Sequence, residues 1–419
     1  MFASINAAQH SATKNSGNAS RRRFIHTMAG GMILAATGPS LVGCKSPAQA
    51  PESATEAWRV TESDDSLIRW GLSYAILAPN PHNMQPWLVD LSIPGEMLVF
   101  LDPTRLLPET DPFGRQIMIG TGAMLGLFEL ALATKGYAVD VQWIGESEDI
   151  DFLSVKEQQP LVRVTVTKNF ETIEAIDQLS LFDHIRNRRT VRANYDLTRP
   201  PTPEFVSSLA NFSIQDQSLG VIDRELSSPS FNRIADWVKE AWRIELSTPQ
   251  TSSESMRLLR IGRKEINKHR DGIAIESTFL WLMSTLGLLD RNQPLAVGSS
   301  GYNRQIDEFN QSVDCTPSWF YITSDSNRRV NQLEVGRTYI FAQLKATELG
   351  LVMHPVSQGL QEYKEMTLIN DQITTELNQV TGRSGQTVQM LARIGYLPEG
   401  EKSPRPAPRR GVDWHIVTA

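Results

Sequence analysis

Two stretches of this chain gather side chains whose types and spacing suit the capture of a flat, charged small molecule. The first is Ala78-Pro79-Asn80-Pro81-His82-Asn83-Met84-Gln85-Pro86-Trp87. Its three prolines fix the backbone, and Asn80, Asn83 and Gln85 each offer donors and acceptors. Such amides match a heterocycle edged with carbonyls and N–H groups, although the same residues also fit a capped connecting loop. The second is Arg186-Asn187-Arg188-Arg189-Thr190-Val191-Arg192. Forked guanidinium donors and a hydroxyl at this spacing can chelate a dianionic phosphate. The alternative is a solvated basic helix end that complements the helix dipole. No residue stands out as an acid or base that must act, and none is assigned as catalytic.

Around these stretches the pattern predicts mixed helices and strands. Leu67–Leu77 has helical apolar spacing, and Trp87–Leu91 and Met97–Leu101 read as strands around a Pro94-Gly95 turn. Gln116–Lys135 is a strong apolar helix whose Gly120, Gly122, Ala123 and Gly126 permit close packing. Leu161–Thr167 alternates as a strand, and Ile173–Arg188 returns to helix. Further helices are predicted over Pro203–Leu209, Ser230–Leu246, Met256–His269 and Leu333–Leu349, with strands over Ser318–Thr323 and Gln386–Tyr396. Strands and helices do not alternate regularly, and no phosphate-cradling GxGxxG or Walker motif is present, so the expected class is α+β.

The 419 residues, 40% hydrophobic and 21% charged, describe a largely globular chain. A net charge of -6 argues against a general nucleic-acid binder. The seven histidines are scattered without HExxH or CxxC spacing, so no metal site is expected. The N-terminus reads as an address. Ser20-Arg21-Arg22-Arg23-Phe24-Ile25 has twin-arginine form, followed by an apolar stretch from Met28 to Leu41 that is too short and glycine-rich for a comfortable membrane span. Such signals are read by a receptor and export proteins already folded. Leu41-Val42-Gly43-Cys44 resembles a lipobox and Ala48-Gln49-Ala50 an ordinary cleavage site. The lipobox is favoured because it directly ends the apolar stretch. With Cys44 lipidated, Cys315 has no partner for a disulfide. Residues 1–44 are thus expected to be signal and lipobox. Residues 45–63, rich in Pro, Ala, Ser and Glu, are expected to be a flexible tether.

The Ala78–Trp87 segment resembles the A-P-S-x-x-N-x-Q-P-W signature of FMN-dependent nitroreductases, with Asn80 in place of the usual Ser. More narrowly, the chain from about 65 to 415 is similar to the Acg-like branch, which fuses two nitroreductase-like halves. Asp111-Pro112-Phe113-Gly114-Arg115, Gly336-Arg337, Ala346–Leu351, Arg393-Ile394-Gly395-Tyr396 and Pro404-Arg405 through Pro408-Arg409-Arg410 support this as an ordered set. The resemblance implies a nitroreductase-like intramolecular pseudo-dimer, with halves 64–180 and 181–419, and one non-covalent FMN. It also implies the residues that hold the flavin: Asn80, His82, Asn83 and Gln85 from the loop, and Arg188, Arg189, Thr190 and Arg192 for the phosphate. To these it adds Pro355, Ser357 and Gln358 from Met353-His354-Pro355-Val356-Ser357-Gln358-Gly359, and Arg409 and Arg410 from the tail. The loop lies in the first half and the other pieces in the second, so one composite site is expected and its counterpart lost. The implied chemistry is flavin-mediated reduction of a nitro, quinone or similar small-molecule acceptor. The alternative is a non-catalytic protein that sequesters or carries FMN. Residues 270–300, with Phe279–Met283 and Leu286–Leu289, are read equally as a lid or as a core helix. The expected protein is a monomer, exported through the twin-arginine machinery and held at the periplasmic or outer membrane face by a lipid on Cys44.

Overall fold

The computed structural model describes residues 46–59, 66–145, 159–169, 179–214 and 216–417. The twin-arginine segment and Cys44 lie outside the described residues, as does much of the helix expected over 173–188.

The first half contains α1 (Leu67–Ala75), β1 (Trp87–Asp90), β2 (Glu96–Leu101), α2 (Arg115–Ala133), β3 (Tyr137–Trp143) and β4 (Val162–Lys168). The second begins with α3 (Pro203–Ser208), β5 (Gln217–Asp223) and α4 (Ser228–Ser247). A run of small elements follows: α5 (Pro249–Arg257), β6 (Leu259–Ile261), α6 (Gly262–His269), β7 (Ile273–Ile275) and α7 (Thr278–Thr285). The half ends with α8 (Ser300–Asp314), β8 (Ser318–Ser324), α9 (Arg329–Glu348), β9 (Val352–Pro355), α10 (Thr367–Thr381), β10 (Thr387–Gly395) and β11 (Ile416–Val417). The class is α+β, as expected.

Each half has its own sheet. The first runs β11-β1-β2-β4-β3 and the second β5-β8-β10-β9. Gly95, at φ 81°, lets β1 and β2 fold back in antiparallel register with Trp87 opposite Leu101. β11 leaves the second half altogether and pairs parallel with β1, Val89 beside Ile416. The first sheet is therefore completed by the end of the chain, and 64–180 is not a self-contained unit.

The halves meet along α2 and α9. All of α2 except Gln116 and Glu129 is buried, so its long apolar run packs between the halves. Gly122 and Gly336 make the approach possible. A Cβ on Gly122 would lie 1.9 Å from the Leu333 carbonyl oxygen, and one on Gly336 2.0 Å from that of Ile119. Across the pair Arg337 Nε donates to Glu129 at 3.1 Å. The principal core draws residues from both halves, from Trp58 to Val412.

Three expectations need correction. The stretch expected as a tether is packed over its described part: Glu52–Trp58 is a 3-10 helix, Ala48, Ala54 and Trp58 are buried, and Trp58 Nε1 donates to the Ala407 oxygen at 2.8 Å. A few aromatic and methyl anchors suffice where mean composition looked too polar. The helix expected over Met256–His269 is interrupted by β6 and by Gly262 at φ 77°. Residues 179–184 form a 3-10 helix, and the arginine element after them is irregular.

Candidate active site

The Asn80–Trp87 loop follows α1 and carries unusual backbone. His82, Asn83 and Gln85 have φ of 46°, 55° and 50°, the left-handed region that non-glycine residues adopt only when their surroundings enforce it. Arg270, at φ 51°, is the other such residue among those described, and it lies against the loop. Gln85 Nε2 donates to the Arg270 oxygen at 2.9 Å, and the Gly272 N–H donates to the Asn83 oxygen at 3.3 Å. Gly120 of α2 supports the loop from below, where a Cβ would reach 3.0 Å from that of Asn80.

The loop spends most of its amides on itself. Asn80 Oδ1 accepts from the Gln85 N–H at 2.8 Å, and Asn83 Nδ2 donates to the Pro408 oxygen at 3.0 Å. Gln85 is buried and accepts the Arg410 N–H at 3.0 Å. It braces the loop and does not face the cavity described below. His82 is different. Its Nδ1 is buried without a partner, and burial, helped by the charge of Arg192, lowers its pKa to about 4. It is a neutral imidazole at pH 7.

The arginine element is brought beside the Met353–Gly359 turn by backbone pairing. Thr190 bridges Met353 in parallel, and the Val191 N–H donates to the Met353 oxygen at 3.0 Å. Arg188 crosses to the first half, where Nη2 donates to the Leu77 oxygen at 2.9 Å; Arg409 Nη2 donates to the Ala78 oxygen at 3.1 Å. These carbonyls end α1, so part of each guanidinium serves as a helix cap. The Nε of each stays buried without a partner. Arg188, Arg189 and Arg409 surround the ring of Trp58, with guanidinium carbons 5.6, 4.7 and 5.4 Å from its centroid. Arg192 keeps accessible surface because it faces open space in the cavity.

None of these four guanidiniums has a carboxylate partner among the described residues. Burial first, then neighbouring positive charge, lowers Arg409 to about 9. Burial is also the main cause that lowers Arg188 to about 10. Both remain cations at neutral pH, at a cost that an anion would relieve. Arg410 does not share in this. It is bound by Asp271 at 2.8 Å, together with Arg105 and Arg260 at the same distance. The expectation that it faces the ligand is therefore corrected: Asp271 holds its guanidinium, and it does not line the cavity described below.

These groups line one cavity of about 500 Å³ between the halves, within the usual range for a small-molecule site. Its walls include Asn80, His82, Asn83, Arg188, Arg189, Thr190, Arg192, Pro355, Ser357, Gln358 and Arg409. Residues absent from the sequence reading join them. Trp58 and Tyr339 face the arginines, with the Tyr339 hydroxyl unpartnered. Glu245 of α4 faces the cavity, buried, and its pKa is raised to about 7 by burial, partly opposed by a bond from Gln361 Nε2 at 3.0 Å. The Gln358 Oε1 is likewise buried and unpartnered. His354 lies in the wall against Arg393, its pKa held well below the usual value by burial and by Arg393 and Arg192.

A cap closes part of the cavity. Residues from α5 to Leu295 form a small separate core of Met256, Leu259, Ile261, Ile275 and Leu280 with Trp281 and Leu295 packed on it. Met256, Leu259, Ile273 and Leu295 also line the cavity. The cap thus starts well before residue 270. Glu254 ties it to the first half by accepting the Thr110 N–H at 2.9 Å. Two of the motifs prove to be braces: Asp111 accepts the N–H groups of Gln116 and Ile117 at the start of α2 at 3.1 and 3.0 Å, and Arg393 donates to the Ala193 oxygen at 3.0 Å beside the arginine element.

No family model matches the chain. By sequence it is 26% identical over 365 residues to "Putative NAD(P)H nitroreductase Rv3131" of Mycobacterium tuberculosis, covering 84% of this chain and 92% of that protein. It is 24% identical over 362 residues to "Putative NAD(P)H nitroreductase acg" of the same organism, covering 84% and 96%. Its sequence relatives are therefore Acg-like proteins, the branch that the motifs resemble. Among solved structures, a putative nitroreductase from Anabaena variabilis covers 90% of this chain and 99% of its own, at 12% identity and a TM-score of 0.39. An FMN- and NADPH-dependent nitroreductase, NfnB from Sphigopyxis, covers 57% and 99%, at 16% identity and a TM-score of 0.35.

Proposed function

We propose that this chain is an exported, FMN-binding oxidoreductase of nitroreductase type. It holds one FMN in the cavity between its halves and delivers reducing equivalents to a nitro-aromatic, quinone or similar small acceptor. The observation that carries this reading is the set of four guanidiniums, Arg188, Arg189, Arg192 and Arg409, gathered at one wall without a carboxylate among the described residues. Such a cluster calls for a multiply charged anion, and a flavin phosphate supplies one. The orphaned groups fit the remainder. Arg188 Nε, Arg409 Nε and the Tyr339 hydroxyl can donate, Gln358 Oε1 can accept, and neutral His82 Nδ1 can serve either way.

In this reading Thr190 and the four arginines hold the phosphate. Asn80, His82, Asn83 and Gln358 supply the polar rim of the ring and ribityl chain, and Pro355 and Ser357 shape the turn beside them. The bound flavin supplies two-electron and hydride transfer. The chain's own part is to orient it, to keep His82 uncharged and to limit water through the cap. A single site is favoured because a second concavity, about 310 Å³ and lined by Ser180, Glu204, Asn211 and Lys345 among others, has its cation Lys345 paired with Glu348 at 2.5 Å. No anion is required there.

The cap favours a second reading, in which the protein holds flavin without turning over. Purified protein should be yellow, with one FMN released per chain on denaturation; two, or none after saturation with FMN, sinks the site assignment. Rapid reoxidation of the dithionite-reduced protein by a water-soluble quinone separates the readings, since a merely sequestered flavin would not respond to quinone concentration. Export by the Ser20–Ile25 segment and a lipid on Cys44 complete the proposal, and the signal chemistry alone supports them.

A further inference from the structure

The cap has an outer face as well as the inner one that closes the cavity. From Ser277 to Leu289 the chain carries no charged residue. Helix α7 turns Leu280 into the cap's own core and buries Met283, and leaves Phe279, Leu282 and its C-cap residue Leu286 outward at 37%, 46% and 60% exposure. Their i, i+3, i+7 spacing puts them on one stripe. A contiguous apolar stripe rimmed by polar residues marks a surface that meets something.

The start of the described chain shows what. Ser46 Oγ lies 3.3 Å from Thr278 Oγ1, at the first residue of α7. The Pro47 oxygen accepts the Arg263 N–H at 2.9 Å, and both Pro47 and the Trp281 ring crowd Gly262. Cys44 precedes Ser46 by two residues, a span of at most about 7 Å of extended chain. Ser46–Arg59 is packed on the body, and in the sequence a single residue, Lys45, separates Cys44 from Ser46. The exposed Lys264 and Lys268 on the neighbouring α6 add positive charge, the usual companion of an apolar face at an anionic bilayer.

We propose that the Phe279–Leu282–Leu286 stripe of α7 docks on a lipid bilayer, the one that holds a lipid on Cys44, so that the outer side of the cavity's cap lies against the membrane. The choice of a bilayer over another apolar partner rests on the lipobox reading. A link this short leaves α7 no room to stand away from the surface, and the stripe is what it would present there.

The test uses the full exported chain in a Cys315→Ser background, reconstituted in phosphatidylethanolamine–phosphatidylglycerol vesicles. Leu286→Cys is compared with Leu368→Cys, a position of similar exposure (67%) on α10, by reaction with a water-soluble maleimide. Leu286→Cys should label at least tenfold more slowly on vesicles, and adding Leu282→Asp, which places a charge in the stripe, should bring its rate back toward that of Leu368→Cys. Equal rates in protein whose N-terminal peptide carries the lipid mass overturn the docking surface and leave the lipobox reading intact. A mature chain beginning at Pro51 overturns the lipobox reading and removes the reason for choosing a bilayer. Slow labelling without vesicles that disappears on dilution shows a second copy on the stripe, and overturns the proposal as well.

Discussion

Arg192→Ala is the sharpest test of the phosphate clamp, because Arg192 has no hydrogen-bond or carboxylate partner among the described residues and sits beside two neutral imidazoles, His82 and His354. Its loss should cost the flavin-free protein nothing, since it deletes an uncompensated cation. A hydrogen bond to a charged group contributes roughly 1.5–3 kcal/mol, which at about 1.4 kcal/mol per decade is about a 10- to 140-fold weaker FMN complex. Riboflavin shares the ring and ribityl chain but lacks the phosphate, so its affinity should stay within about twofold, well inside the smallest free-energy change expected for FMN. Arg188→Ala gives the contrast. It also removes the bond to the Leu77 oxygen, so the flavin-free protein should lose about 1–3 kcal/mol, the cost of leaving a buried acceptor unmet. Asn83→Ala, which breaks the loop's link to Pro408, should weaken both ligands alike. Titration with each flavin, paired with urea unfolding of each flavin-free variant, reads all three. Equal loss of FMN and riboflavin in Arg192→Ala would refute the clamp, and the cluster would then be a structural feature of the interface.

Other consequences are open to measurement. Glu245 has its pKa raised from 4.5 to about 7, so between those values the folded protein keeps a proton that the unfolded chain has released; stability should fall as pH rises through that window. Glu245→Gln should flatten the dependence, seen as a smaller difference between urea midpoints at pH 5 and pH 8. Gly122→Ala forces a Cβ into the Leu333 backbone and should cost at least the usual ~1–3 kcal/mol of overpacking, with the urea midpoint as readout; a neutral result would mean that α2 and α9 are not held as closely as described. Trp58→Ala should weaken FMN by removing the ring that three guanidiniums surround, whereas Trp58→Phe should retain most of the affinity; if both behave alike, the ring is not what orders the arginines. Replacing Arg21 and Arg22 together by Lys should leave unprocessed precursor in the cytoplasm, and normal export of that variant would remove the twin-arginine assignment.

The parts of the architecture written in strong local patterns are legible in the amino-acid sequence alone. α2 announces itself by an apolar run with small residues at helical spacing, and β8 by dense β-branched and aromatic residues. The loop and arginine element stand out by their density of amides and guanidiniums, although each alone also fits a structural role, and their division between halves already implies one composite site. Other features leave no such trace. α8 and α10 are mostly polar, and their burial comes from a few side chains scattered among amides and acids. Gln85 and Arg410 have the right chemistry for a ligand but point sideways into the scaffold, a choice made by Arg270 and Asp271 far along the chain. Trp58 lies in a segment whose average composition looks disordered, and only the tail near Ala407 shows why an indole is there. Glu245 could not be picked out among many acids, since what distinguishes it is the absence of solvent.

The crossing of the chain ends has a further consequence. β11 completes the first sheet, while the Ala54 oxygen accepts the Arg409 N–H at 2.9 Å, so each terminal segment is laced onto the half it does not belong to. A cavity assembled by two separate subunits comes apart when they become scarce, since its integrity follows their association constant. Here the two walls are covalently joined and locked at both ends, and one wall meets the other at an effective concentration that diluting the sample cannot lower. Flavin affinity should consequently be the same at nanomolar and micromolar protein.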